Sequence, residues 1–561
     1  MEYFIGFIVI VLIVAFVGAL RAQKAAREKL ILSLKEGFGK EKEQEYTVER
    51  FKSLGFYFRS HNDGALDIDD ITVNDVDLDQ VFMCMNNTCS AAGEEYLYST
   101  LRKPVKDEGV LKERDRVAEF FGAEPEKRLK MQLLLSDLGK TRSVSLYEYL
   151  NRLNNAPTES NLLHYAVLLL YFAAAVLFVL GAFVSSSITP FAILVLIGGI
   201  IYSIVSYFRC KASKEIYLNV IGILVNMINL SKEVDKFKDE ELKTYVSNIH
   251  QASKNLEKIS KNSFILTVKG GNIIDILLDY VRMLTHLDLV KFNNVIKLYR
   301  ENTDSLNILY ENYGFLDSMI AVASFRKWLS DWSRPEFQTE KGFEAENLYH
   351  PLIVNPVKNS IKSEKSVLLT GSNASGKSTF IKALAINAIL AETVYTSVAD
   401  SYRAPFFKIL SSMALRDNLS GGESYYIVEI KSLKRILDAI NDETPVLCFV
   451  DEVLRGTNTL ERVAASSRIL YDLSTKNCVC FAATHDLELA SILENSFDSF
   501  HFSEKVTESD VVFDYLLKPG KATSRNAIRL LEKTGYPKEI TESAKLAAEQ
   551  FTATNTWERI V

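Results

Sequence analysis

Apolar residues in this chain fall into runs of two different lengths, and each length predicts a different kind of element. Tyr3 to Leu20 carries no charge, and two further long runs, Leu162 to Val184 and Phe191 to Phe208, are separated only by the uncharged turn Ser185 to Pro190. At helical rise the first run reaches about 27 Å, enough to span a hydrocarbon core. None of the three has the polar stripe of an amphipathic core helix, so three transmembrane helices are predicted. The short runs lie in the second half. Ser366 to Thr370, Val446 to Val450 and Val479 to Ala483 have the length and continuous apolar character of strands buried on both faces. Between the two groups, Glu233 to Lys261 mixes acids and bases without proline or glycine, which suits long helices, and Gly270-Gly271 breaks them.

Charge orients the long runs. Only Met1 and Glu2 precede the first, whereas Arg21, Lys24, Arg27 and Lys29 follow it. A signal peptide would need a basic start and a small-residue cleavage site, so an uncleaved anchor with its N-terminus outside is expected. Lys127, Arg128 and Lys130 precede the later pair and Arg209, Lys211 and Lys214 follow it, which puts both its ends in the cytoplasm. His164, near the end of its span, reads as an interfacial histidine. The expected location is therefore the cell (inner or plasma) membrane, multi-pass, with a cytoplasmic body. A net charge of −6 gives no global signal for nucleic acid, and the basic residues of Lys232 to Lys261 read as a solvated helical face. Six cysteines occur without a CxxC pair. Reduced thiols and no metal-thiolate site are expected, with Cys478 and Cys480 as packing residues.

Chemistry clusters around the short runs. Gly371, Ser372, Asn373, Ala374, Ser375, Gly376, Lys377, Ser378 and Thr379 follow the first strand and lead into the helical stretch Phe380 to Glu392. Glycines at a strand-to-helix turn free backbone amides for phosphate at a helix N-terminus, Lys377 reaches the β/γ oxygens, and the Ser378 hydroxyl is a Mg²⁺ ligand. The second strand ends in Asp451-Glu452, a Walker B pattern in which Asp451 holds Mg²⁺ and Glu452 serves as the base that orients water. The third ends in Thr484-His485-Asp486, at the edge where open α/β sheets bind ligands, and His485 reads as a γ-phosphate sensor.

Leu419 to Glu423, Leu-Ser-Gly-Gly-Glu, resembles the segment that ABC ATPases close over the nucleotide of a second copy. The short interval from Lys377 to Asp451 leaves little room for the helical subdomain of transport ATPases. The chain is more specifically similar to the ATPase domain of the MutS family, the dimeric DNA mismatch-repair ATPases. Thr370 to Phe380, Ser424 to Glu429, Asp451 to Asn458 and Ala483 to His485 agree with it in order, followed by Tyr515 to Ser524, Gly535 to Pro537 and a closing helix from Glu539. The resemblance implies ATP and Mg²⁺ as cofactors, a homodimer through the ATPase domains, Ser424 and Asn373 as contacts across that dimer, and Arg455 to Asn458 as the loop joining the two sites. It extends upstream to Leu78 to Phe82 and Asn87 to Leu97, which look like the start of the family's helical core, and to Leu309 to Ala323, which looks like its lever helix.

The chain also departs from that pattern. The family's Ser-Thr-Phe is Ser424-Tyr425-Tyr426 here, and Leu352 stands where many relatives stack an aromatic residue on adenine, with Tyr349 or His350 as stand-ins. The first hundred residues hold no Phe-x-Glu mismatch wedge, and no clamp domain is recognisable. The expected fold class is an α/β P-loop ATPase domain of ABC/MutS type, preceded by an all-α core and lever region, with three transmembrane helices. The expected order is an anchor (1–30), a helical core segment (31–160), a membrane hairpin (161–210), helical levers (211–338), the ATPase (339–535) and a helical tail (536–561). Two functions fit: a membrane-anchored ATPase with ATP-dependent DNA binding, or a membrane mechanochemical ATPase acting on a protein or lipid. A transporter fits less well, because three spans per chain make a sparse substrate path.

Overall fold

The computed structural model describes residues 2–42, 45–61, 64, 66–141, 144–158, 160–212, 214–267, 273–372, 375–413, 425–506, 511–522, 527–554, 556–557 and 559. The chain forms two compact units. One comprises Met1–His61, Met85–Ser99 and Arg116–Phe325, the other Asn62–Cys84, Thr100–Asp115 and Arg326–Val561.

The described residues of the first unit are helical or in connecting turns. The upstream fragments that resemble a helical core and a lever pack on each other here. The Asp317 carboxylate accepts the Cys89 N–H at 2.9 Å, the Ser90 N–H at 2.8 Å and the Ser90 hydroxyl at 2.6 Å. Tyr310 donates to Glu95 at 2.9 Å, and Asn87 donates to the Ser324 hydroxyl at 2.9 Å. Asp317 is fully buried, and these donors compensate a carboxylate that would otherwise be costly there. The charged stretch after residue 232 enters the long helix Lys243–Thr267, which pairs with Glu215–Val234 through contacts such as Ser231 to Ser253 at 2.6 Å.

In the same unit, helices Asn161–Phe183 and Thr189–Ala212 form a hairpin closed by the 3-10 turn Ser186–Ile188. Their stretches His164–Phe183 and Ser186–Ala212 are long and apolar enough to cross a membrane, and only 17% of each apolar window is buried. A soluble core helix would bury most of such a window. Among the described residues these are two such helices where the sequence predicts three. The first predicted run lies in the helix Glu2–Gly37, but most of its side chains as far as Phe16 fall outside the described set. His164, at the start of the first of these stretches, packs inside the protein. It is 2% exposed, with its Nδ1 3.1 Å from Nδ1 of His286, whose Nε2 lies 2.9 Å from the Ser203 carbonyl oxygen.

The second unit is mixed α/β. Its main sheet runs in the order Lys518–Pro519, Phe497–His501, Ser366–Thr370, Cys478–Thr484, Val446–Asp451, Lys408–Ser412. All neighbours are parallel except the short first pair. The parallel register brings Thr370 opposite Thr484 and Asp451 opposite Ala483, so the C-terminal ends of three strands meet at one edge. The apolar side chains from Val446 to Val450 and Cys478 to Ala483 are buried, as continuous runs in a two-sided sheet require. None of the six cysteines forms a disulfide, and Cys448 Sγ lies 3.5 Å from Cys478 Sγ in this core. A four-stranded sheet, Glu336–Phe337, Ser401–Ala404, Phe343–Leu348 and Asn359–Ser363, belongs to the same unit.

Candidate functional site

The site grows from the turn between strand Ser366–Thr370 and helix Lys377–Val394. Gly371 has φ 143°, and a Cβ there would lie 2.7 Å from the Phe502 carbonyl oxygen, so no other residue fits. Gly376, at φ 101°, caps the helix without a side chain and leaves the first-turn amides to an acceptor from elsewhere. The Ser375 hydroxyl ties the turn to the Ser372 carbonyl at 2.7 Å. Lys377 is buried and its ammonium donates to the Gly371 and Ser372 carbonyls, both at 2.7 Å. Burial lowers its pKa, while Glu452 and Asp451 act against the shift. Thr379 is exposed at the outer side of the first turn. Asn373, Ala374 and Ser424 lie outside the described residues.

Across the edge, strand Val446–Asp451 delivers its two carboxylates into different surroundings. Burial raises the pKa of Asp451, opposed first by the Ser378 hydroxyl beside it. Its Oδ1 is buried and has no hydrogen-bond partner. An orphaned carboxylate oxygen next to a serine hydroxyl is the oxygen donor set a small hard cation takes, so these residues fit Mg²⁺. Glu452 turns the other way. Its backbone is left-handed at φ 56°, fixed by its N–H donating to the Ala483 carbonyl at 2.9 Å. The side chain pairs with Arg455 and lies 3.6 Å from Nδ1 of His485. The His485 contact, helped by Arg455, outweighs burial and holds Glu452 below the usual carboxylate range, while Glu452 raises His485 in return.

The structure thus brings Gly371, Ser372, Ser375, Gly376, Lys377, Ser378, Asp451, Glu452 and His485 to one sheet edge. Asn458, one of the loop residues singled out by resemblance, caps helix Thr459–Thr475 by accepting the Glu461 N–H at 3.0 Å. Two residues that sequence reasoning did not single out hold the site from behind. Asp486 forms a forked pair with Arg462, at 2.9 and 2.8 Å, which anchors the turn bearing His485. Glu429, on helix Tyr425–Ala439, is 2% exposed and accepts the N–H groups of Leu454 and Arg455. A lone acid in the otherwise uncharged Tyr425-Tyr426-Ile427-Val428-Glu429 was the available signal for it.

A pocket of about 430 Å³ opens beside Gly376 and Thr379, lined among others by His350, Ile353, Val354, Phe502 and Tyr515. Tyr349 also borders it, but its hydroxyl is committed to the Asp331 carbonyl at 2.8 Å and to Ser330 at 3.0 Å. His350, the other expected stand-in, accepts the Leu352 N–H through Nδ1 at 3.3 Å. Burial, with Lys382 nearby, pushes its imidazole down to about 4, so the ring is neutral at physiological pH. Tyr515, between the strands Phe497–His501 and Lys518–Pro519, sets its ring against Gly376, where an added Cβ would lie 3.1 Å from it.

The family model described as MutS domain V matches residues 367–552. The chain is similar to the DNA mismatch repair protein MutS of two strains of Thermus thermophilus, each 31% identical over 219 residues, which is 38% of this chain and 26% of the relative. The DNA mismatch repair protein MutS of Thermus caldophilus is 30% identical over the same length and shares. The chain therefore spans about a quarter of the length of the curated relatives it matches.

Proposed function

The chain belongs to the MutS family through its C-terminal part, and from that premise we propose that it is a membrane-anchored ATPase whose paired ATPase domains hydrolyse ATP and drive ATP-dependent binding of DNA. The observation that carries the ATPase reading is the meeting of Lys377, Ser378, Asp451, Glu452 and His485 at one sheet edge, beside a pocket wide enough for a purine. In this reading the amides of the Lys377 turn and the Lys377 ammonium hold the phosphates, exchanging two carbonyl oxygens for phosphate oxygens. Mg²⁺ bound beside Ser378 and Asp451 would neutralise charge on the terminal phosphates. Glu452, ionised and aimed by its neighbours, orients the attacking water and takes its proton. His485, its charge favoured by Glu452, meets the negative charge that grows on the γ-phosphate. The neutral His350 ring and the Tyr515 ring flank the adenine. Ser424 completes the neighbouring protomer's site.

DNA enters this reading from the relatives, which are named for mismatch repair, and the membrane from the outward apolar surface of the hairpin. That same surface supports a second reading, in which the ATPase cycle acts on a lipid or protein partner within the bilayer. One experiment separates them. The detergent-solubilised full chain, wild type and Glu452→Gln, is titrated with homoduplex, mismatched and branched DNA, with and without ATP, over a salt series. DNA binding that needs ATP, weakens steeply with salt, and persists in the non-hydrolysing Glu452→Gln protein supports the DNA reading. Absence of DNA binding alongside intact wild-type ATPase activity transfers the function to the second reading. Full turnover by Glu452→Gln removes Glu452 from its role.

A further inference from the structure

Glu452 is only as well aimed as the loop that follows it. Both Glu452 and Leu454 have left-handed backbones, at φ 56° and 58°, a conformation that costs on the order of 1–3 kcal/mol per non-glycine residue unless the surroundings enforce it. The Ala483 carbonyl holds the Glu452 N–H at 2.9 Å, and beyond it the enforcement comes from one side chain. Glu429 reaches from the buried face of helix Tyr425–Ala439 and takes the N–H groups of Leu454 and, at 3.3 Å, Arg455. Arg455 is in turn the ion-pair partner of Glu452. Glycine is required just beyond, because a Cβ on Gly456 would sit 2.9 Å from Cβ of Tyr426 on the same helix. The helix and the loop therefore fit as one rigid contact.

What holds the helix is a stretch of chain more than three hundred residues upstream. Asp69 caps the short helix Asp70–Asp75 by accepting the Thr72 N–H at 2.8 Å, and its second oxygen pairs with Arg435 of helix Tyr425–Ala439. Arg435 also donates to the Ser411 carbonyl. The Ser411 N–H goes to the Thr72 hydroxyl at 3.1 Å. Asp75 accepts the Ser411 hydroxyl at 2.6 Å and the Met413 N–H at 2.9 Å. Thr72 and Asp75 are both buried. Arg435 thus ties the Asp70–Asp75 helix to helix Tyr425–Ala439, and Glu429 of that same helix ties it to the hydrolytic loop.

We propose that Glu429 is a positioning residue for ATP hydrolysis, setting the loop that aims Glu452, and that Asp69 and Asp75 extend this control to the upstream segment. The proposal rests on the reading of Glu452 as the hydrolytic base. It touches neither the phosphate turn nor the purine pocket, so its mark is a loss in kcat with ATP affinity kept.

The test uses the full chain in detergent and measures steady-state ATPase parameters together with equilibrium binding of a fluorescent ATP analogue. Glu429→Ala should lower kcat about tenfold or more, as small misplacements of catalytic groups do, with analogue affinity within about twofold. Glu429→Gln keeps an oxygen that accepts both N–H groups and should recover most of that loss. Asp69→Ala should give a smaller loss of the same kind, and adding it to Glu429→Ala should cost less than the sum of the two. Unchanged kcat in Glu429→Ala, or equal losses of kcat and affinity not recovered by glutamine, would overturn the proposal. If Glu429→Ala does not fold, Asp69→Ala decides, and unchanged kcat there overturns the upstream extension. Failure of the underlying reading looks different: Glu452→Gln would then turn over normally whatever Glu429 does.

Discussion

In the strand Val446–Asp451 every side chain from Val446 to Val450 is buried, whereas in the hairpin of Asn161–Phe183 and Thr189–Ala212 residues such as Leu169 and Phe172 are 65% and 69% exposed. Both regions are apolar, and the difference lies in what covers them. Sheet neighbours and helices cover the strand, so its apolar content is used up in folding and its two terminal carboxylates are carried to the edge of a rigid layer. Nothing within the described chain covers most of the hairpin, so its apolar surface remains available to lipid. Apolar character alone therefore identifies neither region. Run length and the nature of the flanking residues separate them.

Substitutions can sharpen this contrast, and the largest effect belongs to the proposed nucleotide-binding edge. Lys377→Ala should weaken ATP binding about a hundredfold or more, measured by nucleotide titration, because the proposed phosphate contact of this buried cation has no replacement. Next come the two apolar surfaces. Phe449→Ala should cost about 3–5 kcal/mol in denaturant unfolding, since the ring is fully buried and stacked on Phe481 at 5.7 Å. Phe172→Ala should cost almost nothing in the same assay. Leu169→Arg reverses the order by disfavouring membrane insertion by about 3 kcal/mol, read as a lower inserted fraction. Equal responses at Phe449 and Phe172 would end the distinction between the two surfaces.

The smallest effect concerns protons. The contact with Glu452 raises His485 above its ordinary pKa, so the stabilisation of this pair is complete below the ordinary histidine range and fades as pH rises through the folded value. At the acid end, Glu452 lies below the usual carboxylate range, and its contribution is lost only as pH falls through that lowered value. Glu452→Gln should therefore move the His485 titration, followed by NMR, toward lower pH. An unmoved titration would mean that the imbalance comes from elsewhere, such as Asp486, whose Oδ1 lies 3.7 Å from His485 Nε2.

What was legible in the sequence was local. The turn Gly371–Gly376 needs two left-handed glycines between a strand and a helix, and the residues show it directly. Asp451, Glu452 and His485 stand where apolar runs stop, so pattern alone placed them at strand ends. Partners far along the chain were not legible. Asp75 and Ser411 are 336 positions apart, and nothing near either residue signals the other. The same holds for His164 and His286, 122 positions apart, where a helix-end histidine gave no hint that a second ring would bury it. Tyr515 borders the pocket beside Gly376 only because the strand Phe497–His501 pairs with Ser366–Thr370 and returns the following segment over Gly376.

The placement of residues 62–84 and 100–115 in the second unit bears on how this protein can be handled in the laboratory. A recombinant fragment cut before the four-stranded sheet would keep the glycine-rich turn, Asp451, Glu452 and His485 and still lack Thr72, Asp75 and the Asp69 carboxylate that pairs with Arg435. Its strand Lys408–Ser412, at the end of the sheet, would present the unpaired Ser411 amide to solvent. An uncovered apolar sheet edge recruits other chains, so such a fragment would tend to aggregate during expression, and an inactive preparation of it would report on the missing cover and not on the chemistry.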